Sequence, residues 1–329
     1  MKDIKLSICI PTYNRSKTIY NTLMHLIQCS RDDIEFVISD NASPDDTETL
    51  VKSIKDPRIK YFKNKSNYGI DLNILKCVKR ANGSFIYFIT DEDRIKLKLI
   101  PWIIGLFDKT NKLNLMIGTV LDERTNPYKI VYQFKDRIFN PGASALLKIF
   151  LKEGYLAGII IKRDVLDLTQ ARKYVGCIYI HQVLMGQAMK SGYTITSSKI
   201  FCSIPNKQYK SEIYMLKSYC KGKSFYSPLG TFSQLEDKLV IIKELLSEYP
   251  KVKEVSIEIE KSRWAELLAR AIFMSPRSFI KNFHILVRIM LKNKEITKSH
   301  QFWFNFIIRI KKYLFSHEYW QKKIFHTKR

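Results

Sequence analysis

The hydrophobic positions of the first hundred residues switch period repeatedly. "LSICIP" (6–11) is a short apolar, β-rich run that stops at proline. In "SKTIYNTLMHLIQ" (16–28) Ile19, Leu23, Leu26 and Ile27 recur at helical spacing, with Ser16 placed as an N-cap. "IEFVISD" (34–40) predicts a second strand that ends in an acid. "SPDDTETLVKSI" predicts a helix capped by Ser43, with Pro44 at its first position and acids in its first turn. "RIKYFKN" (58–64) predicts a third strand, and "GIDLNILKCVKRANG" a helix stopped by Gly83. "FIYFIT" (85–90) predicts a fourth strand, which runs straight into Asp91, Glu92 and Asp93.

Alternating strands and helices with continuously apolar strands argue for a parallel sheet covered on both faces. In such sheets ligands lie beyond the carboxyl ends of the strands. The polar residues fall there: Thr12, Tyr13, Asn14 and Arg15 after the first strand, Asp40 and Asn41 after the second, Asn67 after the third, and the three acids after the fourth. Four separate segments thus converge on one edge.

Beyond residue 95 the pattern is less regular. It predicts a helix in "IKLKLIPWIIGLF", strands in "LNLMIGTVL", "YKIVYQF" and "YTITSSKIF", and a helix in "YIHQVLMGQAMKSG". Residues 205 to 230 are polar and read as a loop or lid, and from about 232 the pattern is helical. The expected division is a first domain over 1–230, with one half to about 95 and a second half after it, then a basic helical region over 231–329.

Composition narrows the class. The chain has 329 residues, 46% of them hydrophobic, which excludes a mostly disordered chain. Its six cysteines form no CxxC pair, so zinc and redox motifs are not indicated, and they read as small buried hydrophobes in a reducing compartment. The N-terminus is too short in apolar residues for a signal peptide, and "LIPWIIGLF" is far below the roughly 20 residues that span a bilayer. These features predict a cytoplasmic chain. The formal net charge of +25 predicts attraction to something anionic. From Lys281 to Arg329 there are twelve Lys and Arg against Glu295 and Glu318 alone.

Against that background three acids at a strand end stand out. Carboxylates just past a buried strand suit a hard cation, Mg²⁺ or Mn²⁺, which takes one or two carboxylates plus substrate phosphates. The alternative is a solvated turn whose acids complement a helix dipole.

The ordered set "LSICIPTYNR", "FVISDNASPDDT", "NYGIDLNI" and "GSFIYFITDED" resembles the successive signatures of glycosyltransferase family 2, closely over about residues 5 to 95 and more loosely to about 200. The resemblance implies a GT-A fold, a Rossmann-like, mostly parallel central sheet flanked by helices, here followed by a C-terminal helical region. It implies inverting transfer from a nucleoside-diphosphate sugar, UDP-linked, with a divalent cation at the diphosphate, the half of the catalytic domain to about residue 95 taking the nucleotide-sugar and the half from about 96 to 230 the acceptor. By the same resemblance Pro11, Thr12, Tyr13 and Asn14 would line the base and ribose pocket, with Arg15 beside it. Asp40 would accept from a pyrimidine-like N–H. Asn41 stands where an acid is common. Ser43, Asp45 and Asp46 read as caps of the following helix. Asn67 and Gly69 would bring backbone near the nucleotide-sugar, and Asn73 matches a recurring family position or is a helix-surface residue. Asp91 would touch ribose or metal, Asp93 would be the direct metal ligand, and Glu92 would point outward.

The family's usual base, an acid from an E-D pair opening a helix, is absent. His181 stands in the corresponding neighbourhood, as a base, as a residue orienting the acceptor or as a helix residue, with Asp164, Glu153 and Asp122 as fallback bases. The basic amphipathic segments that include Phe283–Met290 and Phe302–Leu314 suit an anionic membrane surface or a bundle with a solvated basic face. A peripheral position on the cytoplasmic face of the inner membrane would fit a polyprenyl-diphosphate-linked or lipid A-core-linked acceptor, in capsule, lipopolysaccharide O-antigen or related surface-glycan synthesis. Two competing classes fit less of the chain. A sugar nucleotidyltransferase would carry a glycine-rich loop where "PTYNRSKT" has no glycine, and no zinc, RNP or helix-turn-helix motif supports a nucleic-acid-binding module.

Overall fold

A computed structural model describes residues 3–150, 155–177, 179–205, 228–273, 284 and 298–315. By its contacts the chain falls into two compact units, 1–211 and 212–329.

The first unit is built on a ten-stranded sheet in the order β3-β2-β1-β4-β9-β6-β10-β5, with β7 on β6 and β8 on β10. Strands β1 (Leu6–Thr12), β2 (Ile34–Asp40), β3 (Ile59–Lys63) and β4 (Phe85–Phe88) pair in parallel. β5 is Arg94–Ile95, β6 Leu113–Asp122, β7 Lys129–Tyr132 and β8 Arg137–Phe139. β9 (Ile159–Lys162) runs antiparallel between β4 and β6, and β10 (Tyr193–Ile204) returns parallel to β6. Six long strands therefore share one direction, as a mostly parallel α/β sheet requires.

Every residue of β1, β2 and β4 is buried, which explains their unbroken apolar runs. Alternate side chains serve opposite faces. Ile8, Ile10, Phe36, Ile38, Tyr87 and Ile89 pack with Ile19 and Leu23 of α1 (Ser16–Leu26), Val51 of α2 (Thr47–Ser53) and Ile103 of α4 (Ile100–Lys109). On the other face lies α3 (Ile70–Arg80), whose Cys77 thiol donates to the Val37 carbonyl at 3.2 Å. The later helices of this unit are α5 (Ala143–Ala145), α6 (Leu168–Arg172) and α7 (Ile180–Ser191).

Two predicted caps are corrected. Ser16 is not an N-cap: it is the first helical residue of α1, and its N–H is satisfied by Asp45 from another loop, at 2.8 Å. Nor does Ser43 open a helix at Pro44, because its hydroxyl turns back to Asp40 (2.5 Å), and α2 starts only at Thr47. The segment expected to be helical from Ile95 begins instead as β5 and one 3₁₀ turn. The lid expected over 205–230 lies almost wholly outside the described residues.

In the second unit α8 (Pro228–Leu245) and α10 (His300–Phe315) both pack on α9 (Pro250–Phe273). Leu239, Trp264, Leu268, Phe302 and Phe306 are buried, and Lys238 lies 3.3 Å from Glu260, which also accepts from the Trp264 indole at 2.7 Å. Among the described residues no helix is long and apolar enough to cross a membrane.

Candidate functional site

The parallel register sets the edge. Thr12 of β1 lies opposite Asp40 of β2, and Cys9 opposite Phe88 at the end of β4, so the turns after three strands open at one level. Pro11 and Thr12 are buried, Tyr13 and Arg15 half-buried, and Asn14 exposed with a positive φ of 54°. This turn is pinned from the side: the Asn14 N–H donates to Ser43 Oγ at 2.8 Å, and Asp45 takes the Ser16 N–H. Asp45 also accepts from the Thr47 N–H and hydroxyl, so it caps α2 as expected while bracing the first turn. Asp46 precedes α2 without a side-chain cap.

The acid turn is held from both sides, and its three carboxylates differ. Asp91 is buried; its oxygens accept from the Thr12 hydroxyl at 2.7 Å and from Arg15 Nη1 at 2.9 Å. Its carbonyl accepts from the Thr22 hydroxyl at 2.7 Å, and His25 Nε2 meets the Ile95 carbonyl at 2.9 Å, so α1 anchors the turn. Burial raises the Asp91 pKa, while Arg15 and Thr12 oppose the rise. Burial likewise works against the Arg15 charge, but the Asp91 and Glu92 carboxylates outweigh it and raise its pKa.

Asp93 is 0% exposed. Oδ2 accepts from the Thr90 N–H and hydroxyl, both at 2.7 Å, and Oδ1 from the Tyr155 hydroxyl at 2.8 Å. The residue expected to be the direct metal ligand is thus enclosed, with both oxygens engaged inside the protein. Glu92 keeps a side chain 30% exposed, 3.6 Å from Arg15 Nη1. Among the described residues no group of three or more His, Cys, Asp or Glu is arranged to hold a metal.

Burial pushes the Asp93 pKa up to about 7, against the hydrogen bonds from Thr90 and Tyr155. This lies above the ordinary carboxyl value of about 3.9. The folded protein therefore binds this proton more tightly than the unfolded chain. The stability it contributes is complete below about pH 4 and is lost as pH rises towards 7. Asp93→Asn removes the titration. The stability difference between wild type and Asp93→Asn is expected to change by up to about 1.4 kcal/mol per pH unit across that window, read from denaturant unfolding at several pH values. Parallel stability–pH curves would show that this carboxyl has an ordinary pKa.

At the second strand end Asp40 is buried and accepts from the Ser43 N–H and hydroxyl and from the Tyr61 hydroxyl. Asn41 Nδ2 donates to Asn67 Oδ1 at 2.7 Å and to the Gly69 carbonyl at 3.2 Å, and its Oδ1 accepts from the Tyr68 N–H at 3.0 Å. This holds the loop that carries Asn67 against β2. Gly69 starts α3 with φ +79°, a left-handed conformation that favours glycine. Asn73 is not a helix-surface residue: it is buried, accepts from Ser39 Oγ (2.7 Å) and Asn64 Nδ2 (2.8 Å), and donates to the Ser39 carbonyl (2.8 Å). Asn73→Ala would leave these partners unsatisfied in the interior, and thermal unfolding should show a loss of about 2 kcal/mol. A loss within 0.5 kcal/mol would mean that water replaces the side chain.

Thr22, Asn64, Arg80, Thr90 and Tyr155 escaped the sequence reading. Arg80 donates to Ser39 Oγ at 2.9 Å and Asn64 Oδ1 at 3.1 Å. Thr22, Asn64, Arg80 and Tyr155 lie outside the recognisable motifs and only the fold brings them to the edge, whereas Thr90 lies inside "GSFIYFITDED" but gains its role from the turn that folds Asp93 back onto it.

His181 is buried in the first turn of α7, its ring 6.3 Å from that of Tyr179. Of the fallback bases, Asp164 is exposed and paired with Lys162 at 2.9 Å, and Asp122 is paired with Arg124 at 2.8 Å. Glu153 lies outside the described residues.

Comparison with known proteins agrees with this architecture. Residues 7–168 match the profile described as Glycosyl transferase family 2. The chain is 28% identical over 200 residues to an abequosyltransferase of Salmonella typhimurium, covering 55% of this chain and 60% of that one. It is 35% identical over 95 residues to a GalNAc(5)-diNAcBac-PP-undecaprenol beta-1,3-glucosyltransferase of Campylobacter jejuni, covering 28% of this chain and 30% of that one. The chain thus spans less than two thirds of the length of either relative. Among solved structures it resembles S. aureus TarS 1–349 in complex with UDP-GlcNAc, at 15% identity and a TM-score of 0.59 over 94% of this chain and 91% of that one. That likeness extends the fold agreement to most of the chain. Over residues 7–168, just under half of its length, the chain matches glycosyl transferase family 2.

Proposed function

We propose that this protein transfers a glycosyl group, with inversion, from a nucleoside-diphosphate sugar, UDP-linked, to a hydroxyl of a lipid-linked glycan acceptor in bacterial surface-glycan synthesis. The observation that carries the reading is the bridge across the carboxyl edge: Thr12, Arg15, Asp91 and Glu92, from the turns after β1 and β4, form one contiguous polar group. The acceptor class is supported by relatives whose names specify undecaprenyl-diphosphate-linked acceptors, in Campylobacter jejuni and Escherichia coli. The donor class is supported by the latter relative's UDP-Glc.

A divalent cation, Mn²⁺ or Mg²⁺, would be held here by one protein carboxylate plus the substrate phosphates, as such ions often are. Glu92 would hold it, since its carboxylate alone in the acid turn keeps open surface. When bound, the cation neutralises charge on the departing diphosphate as a Lewis acid. Arg15 aligns the Asp91 and Glu92 carboxylates. Asp40, Asn41, Asn67 and Gly69 shape the nucleotide side, and Asp93 fixes the turn through Thr90 and Tyr155. His181 would accept the proton of the attacking hydroxyl, a general-base role that histidine side chains commonly fill.

The reading is tested by thermal shift with UDP-, GDP- and CMP-sugars, with and without Mn²⁺, followed by product analysis on undecaprenyl-diphosphate-linked acceptors. A shift that needs both nucleotide and metal is expected. No shift with any donor, together with salt-sensitive binding of RNA or DNA, would overturn it.

A further inference from the structure

We infer that the outer face of α10 docks the protein onto an anionic lipid membrane, through Phe304, Ile307, Ile308 and Lys311. The sequence shows α10 as broadly apolar; the fold sorts its residues. Phe302 and Phe306 are buried, Asn305 donates to Ser262 at 2.6 Å, and Arg309 pairs with Glu266, so this side faces α9. Phe304, Ile307 and Ile308 are left 61%, 48% and 46% exposed. Their spacing, continued by exposed Lys311, places all four on one face.

Charge identifies the occupant. α10 contains Arg309, Lys311 and Lys312 and no acid, within a stretch of twelve Lys and Arg against two Glu from 281 to 329. A second copy of the same face would bring like charges together. Nucleic acid would reward the lysines but gain nothing from two isoleucines. An anionic bilayer satisfies both halves of the face: the aromatic and aliphatic side chains enter the headgroup boundary and the basic residues stay at the lipid phosphates. The inference is independent of the catalytic reading.

The test is sedimentation of the full chain with vesicles of phosphatidylcholine alone or mixed with phosphatidylglycerol. Wild type should partition to the mixed vesicles and much less to phosphatidylcholine. Phe304→Ser/Ile307→Ser/Ile308→Ser should lower that partitioning by about tenfold or more, and Lys311→Gln by about fivefold at low salt, less at high salt. The melting temperature should hold, since Phe302 and Phe306 are untouched. If the triple variant melts early, Phe304→Ser alone carries the test, with about a threefold loss expected. Unchanged partitioning of the variants, equal partitioning to both vesicle types, or a wild-type dimer that the triple variant dissolves would each overturn the inference.

Discussion

Glu92→Gln should lower kcat/KM for transfer by about 10³, or roughly 4 kcal/mol of transition-state stabilisation, while leaving the melting temperature near wild type. The three neighbouring acids differ in what their carboxylates touch. Asp91 and Asp93 have their carboxylates bonded to protein groups, whereas Glu92 keeps a half-buried side chain at the open side. Its amide replacement retains size and removes the charge that a divalent cation requires. The decisive measurement is Mn²⁺ titration of activity and of nucleotide-dependent thermal shift. Asp93→Asn should show the opposite pattern, an altered stability–pH profile with the metal requirement kept. If Asp93→Asn instead lost the metal response and Glu92→Gln kept it, the assignment would be reversed.

Arg15→Ala should reduce kcat/KM by about 10² and also destabilise the fold, because it strands Asp91 in the interior. Removing one partner of a buried ion pair costs about 3–5 kcal/mol, and the partial exposure of Arg15 places the expectation below that range. Arg15 makes its contacts through one nitrogen, Nη1, at 2.9 Å from Asp91 and 3.6 Å from Glu92. Lysine can supply one such donor, so Arg15→Lys should restore part of both losses. A double-mutant cycle with Asp91→Asn should give a coupling of about 2 kcal/mol in stability. Additive single effects would sink the claim that the two act as a unit.

In the acid turn, spacing alone does not decide which carboxylate stays open. Carboxylates at i and i+2 face one side only while the chain stays a strand, and β4 ends at Phe88. The Asp93 N–H then bonds the Thr90 carbonyl at 3.3 Å, closing a turn that folds the Asp93 side chain back onto Thr90. Asn73 is a comparable case. Its place on a helix is legible, but its burial depends on how α3 lies on β2. The apolar period of α10 is equally legible, yet only packing on α9 separates the face that is buried from the face that remains open.

By itself the sequence determined the order of strands and helices to the end of β4, because each run's period matches the geometry of one backbone form and full burial makes β1, β2 and β4 continuously apolar. It also determined which loops gather at the carboxyl edge, since parallel strands place successive turns on one side. The tertiary structure alone decided the antiparallel insertion of β9, the bracing of the first turn by Ser43 and Asp45, and which carboxylates are enclosed. Those outcomes depend on hydrogen bonds between residues as far apart as Thr12 and Asp91 or Tyr155 and Asp93, and no local period encodes them.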